Sequence, residues 1–103
     1  MPFGASANAA RSYQQNGVST ADPRQQILIV YDRAIAGCHQ QNPELAGRAI
    51  TELIKGLNMD AGPLSKDLLA IYQYCSALIR KERFKTVAAL LQELRDTWAA
   101  VSI

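Results

Sequence analysis

The chain changes character at Asp22-Pro23, and that boundary limits what it can fold into. Before it lies a polar, turn-forming run through Val18-Ser19-Thr20-Ala21, and after it an apolar one. An Asp at the N-cap accepts a hydrogen bond from an amide that has no helical partner, and Pro at the first helical position gives up no bond. Beyond the boundary, Ile27, Val30, Tyr31, Ala34 and Cys38 recur at helical spacing, with Leu28, Ile29 and Ile35 outside that stripe. A first long helix is therefore predicted over about 23–40, with more apolar surface than one neighbour would cover.

The same punctuation divides the rest. Asn42-Pro43 closes the first helix and opens a second over about 43–59, with Leu45, Ala46, Ala49, Ile50, Leu53, Ile54 and Leu57 in register. Asp60-Ala61-Gly62-Pro63 is a strong breaker. A third stripe, about 64–81, carries Leu64, Leu68, Ile71, Tyr72, Cys75, Leu78 and Ile79. A fourth, about 84–101, carries Val87, Leu90, Leu91, Leu94, Trp98 and Val101. No strand-like alternation interrupts them. Four helices on short loops bury their stripes best as an antiparallel up-down four-helix bundle, so an all-α fold is expected over residues 22–103. Each buried Leu, Ile or Val contributes about 1.5–3 kcal/mol, and four such stripes offset the chain entropy. Residues 1–21 are read as a flexible N-terminal arm, partly disordered or holding a short helix around 5–15.

Composition narrows the function. At 103 residues, 49% apolar and 19% charged, the chain is one globular domain rather than a disordered one. Its net charge of +2 is too small to make nucleic acid the main partner. The longest fully apolar run, Ile27 to Tyr31, is far short of a membrane span. The N-terminus lacks a basic start followed by an apolar block, so no secretory signal is expected and the location is expected to be cytoplasmic. Cys38 and Cys75 both fall on apolar faces, where cysteine behaves as a small buried hydrophobe, and a disulfide is disfavoured in a cytosolic chain.

Catalytic constellations are missing. His39 is the single histidine, and the adjacent Cys38 points about 100° away on a helix, so the two form no metal pair. There is no Glu-x-x-His tetrad of the di-iron type, and Gly56 and Gly62 are too isolated for a phosphate loop. Neither an enzymatic role nor a cofactor or metal is expected. Arg80, Lys81, Arg83 and Lys85 cluster at the turn between the third and fourth helices. Arg80 and Lys81 there oppose a helix dipole favourably, which makes a solvated tip the better reading than an RNA or membrane contact.

Binding surface is what remains. Leu28, Ile35, Ile54 and Tyr74 each sit off the main stripe of their helix. A wide bundle core could cover any one of them; together, with a tyrosine-bearing arm nearby, they favour a groove for an apolar helix or extended segment. The residue pattern alone leaves both readings standing. Tyr13, Val18, Leu28, Ile35, Ile50, Ile54 and Tyr74 are the candidate partner-binding residues.

Several short motifs in order carry a resemblance. Tyr13-Gln14-Gln15-Asn16, Val18, Thr20-Ala21-x-Pro23 and Tyr31-Asp32 are followed by Leu57-Asn58, Tyr72-x-Tyr74 and Glu93-Leu94-Arg95-Asp96-Thr97-Trp98. In this order, over residues 13–101, the chain resembles the flagellar export chaperone FliS family. That resemblance implies a cytoplasmic helical bundle that binds the disordered C-terminal segment of new flagellin. Binding prevents premature polymerisation and delivers the client to the export apparatus. It also implies an arm, anchored here by Tyr13, that lies over part of the client groove. The chain departs from the family in its two hairpins at one end, which are shorter by about 5–10 Å per helix, and this puts client length and affinity in question. Two alternatives stay open: a divergent helical adaptor for another flagellar or regulatory protein, and a self-associating bundle, a weak homodimer, in which a second copy covers the surplus apolar positions.

Overall fold

The structure is a computed structural model and describes residues 23–100. The proposed arm, with Tyr13 and Val18, lies outside the described residues. Helix α1 spans Pro23–His39, α2 Pro43–Lys55, α3 Pro63–Arg80 and α4 Phe84–Ala100, with a short 3-10 turn at Met59–Ala61. The all-α up-down bundle expected from the stripes is what forms. Helix α1 packs extensively on α2 and α4, whereas α3 contacts α2 less and α4 least.

Both short hairpins close at one end of the bundle with the same local geometry. In the first, Gln41 is left-handed (φ 53°); its N–H donates to the Cys38 carbonyl at 3.0 Å, and the Asn42 N–H to that of Gly37 at 2.8 Å. In the second, Glu82 is left-handed (φ 59°); its N–H donates to Ile79 at 2.9 Å, and the Arg83 N–H to Leu78 at 2.9 Å. Both are Schellman closures, which satisfy carbonyls left over at a helix end and favour glycine at the left-handed position. Neither position holds glycine. Glu82→Gly is therefore expected to stabilise the fold by about 0.5–1 kcal/mol, read by urea denaturation. A loss instead would mean that the Glu82 side chain itself supports the turn.

At the other end the second helix corrects the expectation. It stops at Lys55 rather than near Met59, although the apolar stripe runs on through Leu57. Gly56 caps it, with its N–H on the Glu52 carbonyl at 3.1 Å. Asn58 is extended, and its side chain accepts the Asp60 N–H at 3.1 Å to open the 3-10 turn. Asn makes such local bonds in competition with a helix, and the periodicity of Leu53 and Leu57 does not register that competition. Gly62, at φ 117°, then turns the chain where a side chain would be strained, and Pro63 starts α3.

The core runs between these ends. Tyr31, Ile50, Cys75, Val87 and Leu91 are its largest fully buried side chains. Where α1 crosses α2 the seam is built of small residues. Ala34, Ala46 and Ala49 are buried, and Gly37 lies so close to Ala46 that a Cβ on it would meet backbone.

Candidate binding groove

The early stop of α2 and the light seat of α3 leave the apolar stripes incompletely covered at the end where α1 begins. Ile27 and Val30 of α1, Leu53 of α2, Leu57 of the connection, Leu64, Leu68 and Tyr72 of α3 and Trp98 of α4 line a groove of about 590 Å³ there. Gln26, Glu52 and Asn58 stand among its lining and are themselves exposed. Leu64, at 63% exposure, is the most exposed large apolar side chain among the described residues. An apolar lining with a few polar groups at the edge is the usual makeup of a preformed binding site.

A buried polar knot holds three helices together behind this groove. The Tyr31 and Tyr72 hydroxyls lie 2.6 Å apart, and the Trp98 Nε1–H donates to the Tyr31 oxygen at 3.2 Å. The two tyrosine rings meet edge-on, with centroids 6.3 Å apart. One residue along, Arg95 donates to both Asp32 carboxylate oxygens, at 2.7 and 3.3 Å, tying α4 to α1. The motifs Tyr31-Asp32, Tyr72-x-Tyr74 and Glu93-to-Trp98, far apart in sequence, thus converge on one place. Burial raises the pKa of both tyrosines, so each carries its proton at neutral pH and stays a donor.

The candidate residues are scattered by the fold. Ile35 and Ile50 are buried core residues, Ile50 wholly so, which leaves them under the surface rather than on it. Ile54 is half-buried against the core, and Leu28 is half-buried on α1 outside the groove. Tyr74 is exposed on α3, also outside the groove. None of the residues lining the groove is among the candidates, since Ile27, Leu57, Leu64 and Trp98 all belong to main stripes. The signal that could have found them was Gly56 followed by Asn58, a helix stop placed before the stripe ends.

Other chemistry is sparse. The Ser65 hydroxyl donates to the Asn58 carbonyl at 2.7 Å, and His39 lies at the opposite end of the bundle. No group of three or more His, Cys, Asp or Glu among the described residues could hold a metal ion. Cys38 and Cys75 are free and buried; burial and the neighbouring Cys38 push the Cys75 thiol up to about 11, so it is a poor nucleophile. Arg80, Lys81, Arg83 and Lys85 are exposed at the hairpin end, with no ion pair among the described residues. No helix among the described residues is long and apolar enough to cross a membrane.

Fold and site together define an all-α bundle with a preformed apolar groove at one end. No curated protein and no solved structure gives a significant match to the chain. The family model described as flagellar protein FliS matches residues 41–103, more than half of the chain, and the chain belongs to that family of flagellar export chaperones. The match covers the Tyr72 and Trp98 motifs; Tyr31-Asp32 precedes it and joins them in space.

Proposed function

We propose that this protein is a cytoplasmic chaperone whose end groove receives an apolar segment from the C-terminal part of newly made flagellin. The observation that carries the reading is an apolar groove of about 590 Å³ on a bundle of the FliS family. A disordered client that folds on docking lays an amphipathic helix into such a groove, with apolar anchors at helical spacing. Ile27, Val30, Leu57, Leu64 and Leu68 supply the complementary surface. A covered client cannot polymerise, and release at the export apparatus restores it. The activity is binding, and no step of catalysis is involved.

Calorimetric titration with the C-terminal segment of the cognate flagellin tests the reading. Saturable binding is expected, with a negative heat-capacity change from apolar burial. Absence of binding at on the order of tens of micromolar would overturn it. Recovery of a different flagellar protein in the same groove would instead favour the adaptor.

A further inference from the structure

The polar knot behind the groove holds one more donor than it uses. Trp98 brings an N–H, and Tyr31 and Tyr72 an O–H each, yet two hydrogen bonds join the three side chains. Trp98 can only donate, and Tyr31 accepts from it. The tyrosine pair shares a single bond, so one of its two protons has no partner within the knot.

Both hydroxyls are buried, so the place of that proton turns on which of the two rings borders the groove. If Tyr72 donated to Tyr31, the spare proton would be on Tyr31, which is fully buried and does not line the groove. A buried unsatisfied donor is costly. If Tyr31 donates to Tyr72, the bonds run head to tail from Trp98 through Tyr31 to Tyr72, and each strengthens the next. The spare proton is then on Tyr72, a side chain 2% exposed that lines the groove. The other buried polar side chain in the lining, Ser65, has already spent its proton on Asn58.

We infer that the Tyr72 hydroxyl determines specificity in the groove, donating a hydrogen bond to a polar side chain on an otherwise apolar docked helix. This rests on the groove being the client site proposed above. The acceptor is a side-chain oxygen of Asn, Gln, Ser or Thr, because the carbonyls of a helix point along its axis while its side chains face the groove wall. Such a donor discriminates well. A segment with only apolar groups opposite Tyr72 leaves that proton buried and unpaired, whereas an apolar wall would tolerate either segment.

A coupling experiment tests this. The flagellin C-terminal segment is prepared with each polar residue replaced singly by an apolar residue of similar shape, and the set is titrated against four proteins. Against the wild type, one replacement is expected to weaken binding about tenfold, the scale of one hydrogen bond. Against Tyr72→Phe the same replacement should cost nothing, while the others behave as before. Tyr31→Phe keeps the Tyr72 proton, so it should lower thermal stability and leave the coupling in place. The paired Tyr31→Phe/Tyr72→Phe protein removes both hydroxyls, leaves the part-buried Trp98 N–H as the one donor without its acceptor, and should lose the coupling, which covers the case where the Tyr31 proton stranded in Tyr72→Phe makes that variant fold poorly. A Tyr72→Phe profile parallel to the wild-type profile across the whole set would overturn the inference and leave Tyr72 a structural residue. Leu64→Asp separates the two ideas: undiminished binding to that protein means that the client docks elsewhere and the groove reading itself is wrong.

Discussion

Gly37→Ala is expected to destabilise the bundle by about 3 kcal/mol, at the upper end of overpacking costs. A Cβ at this position would lie 2.6 Å from the Ala46 nitrogen and 2.9 Å from its Cα. Those are backbone atoms in the first turns of α2 and cannot swing aside. Relief therefore requires α1 and α2 to separate, which loosens the seam that carries Ala34 and Ala49. The Gly37 carbonyl also accepts the Asn42 N–H, and the Ala46 N–H donates to the Asn42 carbonyl at 3.1 Å. A shift at Ala46 thus strains the hairpin closure directly. A melt followed by circular dichroism should fall by about 10–20 °C. Gly47→Ala supplies the control, since nothing lies within 4 Å of a Cβ there. That substitution, inside α2, should stabilise by about 0.5–1 kcal/mol through helix propensity alone. A Gly37→Ala melt within a degree or two of wild type would show that the seam is not set by this contact.

Much of this fold is legible because its helix starts are written locally. Asn42-Pro43 and Gly62-Pro63 place α2 and α3 to within a residue, and each stripe names a face. Three features are not local. Gly37 looks like any helical glycine until α2 is brought against it. Leu57 and Leu64 follow the stripe as faithfully as Leu53 and Leu68, but periodicity says which way a side chain faces and not whether a neighbour reaches it. The reverse holds for Ile35, which sits off the stripe yet is buried, because α1 packs on α2 and α4 at once. The short motifs quoted for the family behave in a third way. Tyr31, Asp32, Tyr72, Arg95 and Trp98 read as separate marks in the sequence, and their reason is the single knot they form in space.

Leu64→Asp is expected to weaken client binding at least about a hundredfold, roughly 3 kcal/mol, while leaving the fold intact. The two effects separate because of where Leu64 sits. Its side chain is largely exposed at the groove edge, so the free protein loses little packing when it is removed. It is also in the first turn of α3, a helix with no acidic residue there and no side-chain cap on Gly62. A carboxylate at that end interacts favourably with the helix dipole, by about 0.3–1 kcal/mol, so the variant should melt no lower than wild type. In the complex the same carboxylate would be carried into an apolar contact with no cation among the lining residues to meet it. Tyr74→Ala decides the location by contrast, because Tyr74 is exposed on the same helix but outside the groove. Binding lost in Leu64→Asp and kept in Tyr74→Ala places the client in the end groove. The opposite pair of results would move it to the outer face of α3, where the surplus aromatic surface lies.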